Sequence, residues 1–141
     1  MTEPWYVDSN VFILPVLGER SERAAGARRA LERIEAGKLV AYTSVLTWDE
    51  VVWVISRTMG KADGAQVGRK LLSFPGLRFL DATLTTVSRA EGLCESLDLA
   101  PRDAIHCASA LGKRIASFVT DDADIEKVPG LKRVSLESFL T

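Results

Sequence analysis

Residues 39–60 read LVAYTSVLTWDEVVWVISRTMG, a short apolar run followed directly by a helical pattern. The run 39–42 predicts a β-strand, and the Thr-Ser pair at 43–44 offers an N-cap for a helix that runs to Met59 and ends at Gly60. The predicted helix carries an apolar stripe at the spacing of one helical face: Val45, Trp48, Val52, Ile55 and Met59. A strand that passes straight into a helix is the building unit of α/β domains.

The same alternation of short β-like runs and longer helical patterns continues along the whole chain. We therefore predict a single α/β domain over residues 1–141, with a central, mostly parallel sheet flanked by helices in three layers (α/β/α) and right-handed crossovers. The other predicted strands are 5–7, Leu77–Leu80, Ser117–Val119 and Lys132–Val134. The other predicted helices are 20–36, 62–73, 83–97 and 102–113, with a terminal helical turn at Leu136–Leu140.

Composition excludes several classes of protein. A chain of 141 residues with 47% hydrophobic residues can bury one core, and its 26% of charged residues argue against disorder. The net charge of −1 argues against a protein that coats nucleic acid by bulk attraction, although a metal or a few arginines can still hold phosphates locally. Cys94 and Cys107 lack the spacing of metal ligands, and we expect buried free thiols.

The N-terminus is acidic and lacks the basic and apolar regions of a signal peptide. The longest apolar stretches are far shorter than the roughly 20 residues that cross a bilayer. We therefore expect a cytoplasmic protein that does not associate with membranes.

Acidic side chains recur where predicted strands end or predicted helices begin. In a parallel sheet the functional crevice lies beyond the carboxyl ends of the strands, so these side chains are expected to face one cleft. They are Asp8, Glu50, Asp103 and the group Asp121, Asp122 and Asp124.

Each of these acids also has a simpler explanation. Asp103 is placed to stabilise a helix dipole, the aspartates of a turn often cap backbone amides, and Glu50 suits a solvated helix face. Their joint placement favours a site, because converging carboxylates repel one another and a hard cation such as Mg²⁺ relieves that repulsion. Bound Mg²⁺ polarises a phosphodiester and activates water. The pattern therefore predicts metal-assisted hydrolysis of a phosphodiester.

Four short motifs resemble those of PIN-domain nucleases and follow one another in the same order across essentially the whole chain. They are VDSNV at 7–11, TSVLTWDEVV at 43–52, RDAIH at 102–106 with Ala108, and TDDADI at 120–125 followed by VPGL at 128–131. Within that family, the length and the motifs look most like VapC-type toxins of toxin–antitoxin pairs.

The resemblance implies a catalytic quartet of acids that binds Mg²⁺ or Mn²⁺: Asp8, Glu50, Asp103 and Asp122. Asp124 is expected to be an auxiliary metal ligand. Asp122 is preferred to Asp121 because the family pattern reads Thr/Ser-x-Asp-x-Asp. Glu50 is preferred to Asp49 because the acid at that position directly precedes an apolar run.

Four polar neighbours are expected to support the site or contact substrate: Ser9, Asn10, Thr120 and Arg102. Capping of the next helix remains open for the first two, and Arg102 either holds a phosphate or pairs with Asp103. His106, the only histidine, lies three residues after Asp103; contact with RNA is open, but helix packing is favoured. Trp5, Trp48 and Trp53 are expected in the core or in subunit contacts rather than in base stacking.

By resemblance the protein is a metal-dependent endoribonuclease, the VapC toxin of a type II toxin–antitoxin pair. The resemblance also implies a homodimer and a cognate antitoxin whose peptide fills a groove bounded by 12–17 and 51–55. The arginine-rich run 20–33 is either a solvated face or a surface for RNA or for an acidic partner.

Two alternatives remain. One is a non-catalytic PIN-like module that binds RNA or protein. The other is a phosphatase with an aspartyl nucleophile, although Asn10 stands where such enzymes carry a second aspartate.

Overall fold

The central sheet of the computed structural model, which describes residues 3–141, contains five parallel strands. In chain order they are β1 (Pro4–Val7), β2 (Val40–Ser44), β3 (Leu77–Leu80), β4 (Ser117–Val119) and β5 (Lys132–Val134). Their order across the sheet is β3-β2-β1-β4-β5, so the first strand of the chain lies in the centre. Every neighbouring pair is parallel, as the alternating pattern predicted.

The helices cover both faces of the sheet, which confirms the predicted three-layer α/β/α architecture. They are α1 (Asn10–Val16), α2 (Glu22–Glu35), α3 (Leu46–Met59), α4 (Lys61–Leu72), α5 (Leu84–Leu97) and α6 (Pro101–Gly112). Two short 3₁₀ helices, Ala123–Lys127 and Leu136–Leu140, flank β5. Within the described residues no helix is long and apolar enough to span a bilayer.

Apolar side chains fill both faces of the sheet, because successive residues of a strand point to opposite sides. Val7 and Val119 lie in the core under α1 to α4 and the last 3₁₀ helix. Tyr6 and Phe118 lie in the core under α5 and α6, with ring centroids 4.8 Å apart. The two layers of helices therefore converge on the carboxyl end of β1.

The start of α3 differs from the prediction. Thr43 and Ser44 are the last residues of β2, and α3 begins at Leu46. The Thr43 hydroxyl donates to the carbonyl oxygen of Val7 at 2.7 Å, and the Ser44 hydroxyl accepts from the amide of Leu46 at 3.1 Å. The Thr43 side chain thus joins β2 to β1 and, through the Thr47 hydroxyl at 2.6 Å, to α3, whereas the Ser44 side chain contacts the first residue of α3.

The predicted apolar stripe of α3 is also wrong in part. The face buried in the core consists of Thr47, Val51 and Ile55, whereas Trp48 remains 41% exposed. The reason is that α3 packs on two neighbours, the sheet and α4. A Cβ atom at Gly68 of α4 would lie 2.9 Å from Trp48, so this glycine lets the two helices approach closely.

Candidate metal centre

Asp8 follows β1 directly and is 4% exposed. Its amide donates to the carbonyl oxygen of Val119 in β4 at 3.0 Å, which extends the strand pairing to this residue. Its carboxylate accepts from the amide of Ser9 at 2.8 Å, from the hydroxyl of Thr120 at 2.7 Å and from the side-chain amide of Asn10 at 3.4 Å. These contacts hold the carboxylate in one orientation at the carboxyl edge of the sheet.

Glu50 reaches the same point from α3, and His106 reaches it from α6 on the opposite face of the sheet. The Nε2 atom of His106 is hydrogen-bonded to the Glu50 carboxylate and lies 3.6 Å from Oδ1 of Asp8. Three potential ligand atoms lie within 4.8 Å of one another, one each from Asp8, Glu50 and His106. The cluster therefore joins the central strand to both layers of helices.

The imidazole of His106 is fixed by Tyr6 of β1. The Tyr6 hydroxyl lies 2.6 Å from Nδ1 and accepts from the amide of Ser44 at 3.0 Å. An ionised carboxylate only accepts hydrogen bonds, so Nε2–H donates to Glu50. The Tyr6 hydroxyl donates to Nδ1 of a neutral ring or accepts from Nδ1–H of a protonated ring. Both ring nitrogens are thus engaged, which makes His106 a support for Glu50 rather than an additional ligand. The sequence favoured a packing role for His106, and its contacts with the acids were missed.

Asp103 lies in the first turn of α6, where burial and the other acids raise its pKa. Burial and then the charges of Asp8 and Asp122 raise the pKa of Asp103 to about 6, with Glu50 adding to the effect and His106 opposing it. Burial lowers the pKa of His106, but the hydrogen bond to Glu50 and the nearby carboxylates outweigh it and raise that pKa overall. The four acids named from the sequence therefore act on one another electrostatically.

The turn after β4 separates its three aspartates. Asp121 forms an ion pair with Arg23 of α2 at 2.6 Å, so its carboxylate is bound to an arginine outside the cluster of Asp8, Glu50 and His106. Asp122 lies within reach of Asp103, and its own carboxylate accepts from the amide of Asp124 at 2.9 Å. Asp124 is exposed at the start of the 3₁₀ helix.

The supporting residues lie as follows. The side-chain amide of Asn10 donates to Thr120 Oγ1 at 3.0 Å, and its oxygen accepts from the amide of Asp121 at 3.3 Å. Ser9 precedes α1, but its hydroxyl makes no capping hydrogen bond there. Arg102 is exposed, and no ion pair within residues 3–141 joins it to Asp103. Asn10 and Thr120 thus brace Asp8 against the β4 turn.

The donor set fits a hard divalent cation. Asp8, Glu50, Asp103 and Asp122 supply carboxylate oxygens, the ligands that Mg²⁺ and Mn²⁺ prefer. Burial is the main cause of the raised pKa of Asp103, and the negative charges of Asp8 and Asp122 add repulsion to it. A bound cation would remove that repulsion.

An apolar groove of about 300 Å³ lies between α1, α2, α3 and α4. Both segments that were expected to bound a peptide groove contribute side chains to it. Its lining consists of Phe12, Val16, Leu31, Val51, Val67, Lys70, Leu71 and Phe74.

Comparisons with known proteins agree with this architecture. The sequence model of the PIN domain matches residues 5–131. A toxin–antitoxin complex from Klebsiella pneumoniae is similar, with 22% identity, a TM-score of 0.66 and coverage of 93% of this chain and 96% of that chain. VapBC2 from Rickettsia felis, bound to a promoter DNA fragment, has 14% identity, a TM-score of 0.71 and coverage of 94% and 98%.

A third similar structure is Mycobacterium tuberculosis VapC20, described as a sarcin-ricin loop cleaving toxin. It has 16% identity, a TM-score of 0.70 and coverage of 90% of this chain and 98% of that chain. No curated protein sequence matches the chain significantly. Since the family match spans most of the sequence and the fold agrees, the chain belongs to the PIN domain family.

Proposed function

We propose that this protein is a metal-dependent endoribonuclease, the VapC-type toxin of a type II toxin–antitoxin pair. The observation that supports the proposal is the cluster of Asp8, Glu50 and His106 at one edge of a PIN-type sheet, with Asp103 close enough for the charges of Asp8 and Asp122 to raise its pKa. PIN nucleases typically hydrolyse RNA, and the structural neighbours include VapC toxins.

Each acid has a distinct way of being held. Asp8 is fixed by three hydrogen-bond donors of the β1 and β4 ends, and Glu50 is positioned by the Tyr6–His106 pair. A bound Mg²⁺ or Mn²⁺ would polarise the phosphodiester and lower the pKa of a water molecule. We assign Asp8, Glu50, Asp103 and Asp122 as its ligands, with Asp124 as an auxiliary acid, and one carboxylate as the proton acceptor.

We assign the apolar groove to a cognate antitoxin. Several structural neighbours are toxin–antitoxin complexes, including those from Klebsiella pneumoniae and Rickettsia felis. An apolar peptide segment would cover side chains such as Val16, Leu31 and Phe74, which line the groove and are only partly buried.

A homodimer is also part of the proposal. Exposed apolar side chains follow the ends of β2 and β3 in the chain, and the amide of Val45 joins these ends by donating to the carbonyl oxygen of Leu80. We assign these side chains to the contact between subunits, because exposed apolar surface marks contact sites. The side chains are Val45, Trp48, Leu84 and Val87.

Cleavage of labelled structured RNAs by the purified protein tests the proposal. The reactions contain Mg²⁺, Mn²⁺ or EDTA, and the wild type is compared with Asp8→Asn, which keeps the side-chain shape but removes the charge. Asp49→Asn is the matched control, because Asp49 is exposed and adjacent to Glu50 in the same helix.

We expect cleavage to disappear with EDTA and with Asp8→Asn and to persist with Asp49→Asn. Cleavage that survives EDTA or Asp8→Asn would reject the metal–carboxylate mechanism. No cleavage by protein that is free of antitoxin and binds Mn²⁺ would instead favour a non-catalytic module. A phosphatase is disfavoured, because Asn10 braces Asp8 instead of supplying an acid.

A further inference from the structure

Trp53 is half exposed in α3, with 50% of its surface accessible, which excludes the core and leaves a subunit contact as the untested part of the expectation. Two arginines flank its ring. The guanidinium carbon of Arg57 lies 4.7 Å from the ring centroid, and that of Arg102 lies 5.9 Å from it. We call Trp53, Arg57 and Arg102 the cationic rim. Both distances fall within the range of cation–π attraction, so each residue helps to hold the others in place.

The cationic rim borders the acidic cluster. Glu50 of α3 and His106 of α6 are in direct contact at the cluster. Trp53 lies three residues beyond Glu50, and Arg102 lies four residues before His106, so the same two helices meet again about one helical turn away. Asp103 directly follows Arg102. The rim is therefore placed to contact a nucleotide next to a phosphate that the acids hold.

The two arginines are available for a ligand. Arg23 is paired with Glu19 and Asp121, whereas no ion pair within the part of the chain described by the structure involves Arg57 or Arg102. A guanidinium that lies over an aromatic face keeps N–H donors for phosphate oxygens. Half of the Trp53 surface is accessible, and an unpaired base can stack on the part of the indole that the guanidinium groups leave uncovered.

An RNA nuclease with this surface needs such a rim. The net charge of −1 gives no bulk attraction for a polyanion, and the acids themselves repel phosphates. A local pair of cations offsets that repulsion beside the site. A stacking surface also requires that the base has left a helix, because paired bases cover both of their faces.

We propose that the cationic rim binds one unpaired nucleotide adjacent to the scissile phosphate, with Trp53 stacking on its base and Arg57 and Arg102 binding its phosphate. This inference rests on the proposed ribonuclease function and deepens it, since it specifies RNA that is single-stranded at the cleavage site. It also gives Trp53 a role in RNA recognition that the sequence disfavoured.

The test measures binding of fluorescein-labelled, unstructured RNAs of about 12 nucleotides, a length that covers a typical single-strand site. A series of these RNAs carries one abasic position each. Ca²⁺ replaces Mg²⁺ to limit cleavage during anisotropy measurements, and cleavage of the intact RNA is recorded separately with Mn²⁺. The variants are Trp53→Ala, Trp53→Leu, which retains bulk without an aromatic face, and Trp53→Phe.

We expect Trp53→Ala and Trp53→Leu to weaken binding by about 5- to 100-fold, the usual range for loss of one stacked base, and Trp53→Phe to restore part of the affinity. Removing the stacked base should weaken RNA binding by the wild type by a similar factor. It should not weaken RNA binding by Trp53→Ala any further. The logarithm of the association constant falls linearly with the logarithm of the salt concentration, and Arg57→Gln and Arg102→Gln should each make this slope less steep by about 0.7. Leu72→Ala, which removes another exposed apolar side chain, and Arg69→Gln are the controls and should leave the base-removal penalty and the salt slope unchanged.

The outcomes separate this inference from the proposed function. The stacking role is overturned if removing a base weakens binding equally in the wild type and in Trp53→Ala at every position, even if the wild type cleaves RNA. In that case, a changed oligomeric state of Trp53→Ala would assign Trp53 to a subunit contact. Trp53-dependent binding without any cleavage supports the rim and rejects the nuclease. RNA that is neither bound nor cleaved rejects both.

Discussion

A single methyl group at Gly26 provides a stringent test of the packing between α2 and the last 3₁₀ helix. A Cβ atom at this position would lie 2.5 Å from the carbonyl carbon of Leu136, closer still to its carbonyl oxygen, and 3.2 Å from the amide nitrogen of Glu137. These are backbone atoms, which cannot rotate away as a side chain can. The 3₁₀ helix must therefore retreat by about 1 Å to reach normal van der Waals separation.

The cost of Gly26→Ala follows from what that segment buries. Leu136 and Phe139 are almost inaccessible in the core, and each contributes about 1.5–3 kcal/mol when fully buried. An overlap of this size with backbone atoms undocks the segment, and losing the burial of both side chains costs about 3–6 kcal/mol. After a gain of about 1 kcal/mol from helix propensity, we expect the free energy of unfolding to fall by about 2–5 kcal/mol.

Urea denaturation followed by circular dichroism measures this change, and Gly92→Ala in α5 is the control. No atom lies within 4 Å of a Cβ at Gly92, so the same substitution should raise the free energy of unfolding by up to about 1 kcal/mol. The two variants should therefore shift the urea midpoint in opposite directions. A neutral or stabilising effect of Gly26→Ala would refute the packing argument.

Three further predictions concern the site. Tyr6→Phe removes the hydrogen-bond partner of the buried Ser44 amide and of His106 Nδ1. The free energy of unfolding, measured by urea denaturation, should therefore fall by about 2–4 kcal/mol, and RNA cleavage should decrease. Unchanged stability would contradict this prediction. In EDTA, Asp103→Asn should stabilise the protein by about 1 kcal/mol at neutral pH, a value reduced for partial solvent screening. The pKa of Asp103 is raised from 3.8 to about 6 in the folded protein, so the wild type loses stability as the pH rises through that interval. The stabilities of the wild type and Asp103→Asn should therefore become equal below pH 4. Equal stabilities at neutral pH would contradict this prediction. Mn²⁺ at about 100 times its Kd should raise the stability of the wild type by about 3 kcal/mol in thermal shift assays, and an equal rise in Asp8→Asn would reject that residue as a ligand.

The sequence predicted the features that depend on neighbours along the chain. The apolar run before Asp8 and the first-turn position of Asp103 follow from local pattern, and they place both acids at the carboxyl edge of a parallel sheet. His106 could not be placed in this way, because its partner Tyr6 lies 100 residues away. The α3 face was misread for a related reason, since a helix that packs on two neighbours has no single apolar stripe. The choice of Asp122 over Asp121 rested on resemblance and stays a prediction; the ion pair that engages Asp121 could not be read from the sequence, because its partner Arg23 is 98 residues away.

The central position of β1 has a consequence for protein synthesis. A ribosome makes β1 first, yet one of the two neighbours of this strand is β4, which begins only at Ser117. Thr120, which fixes the Asp8 carboxylate, lies 112 residues further along the chain, and Asp122 follows it. A nascent chain therefore carries its first acid from the start but completes the acidic cluster only after most of the domain has been translated. Translation that stops before β4 would release a polypeptide without an assembled site.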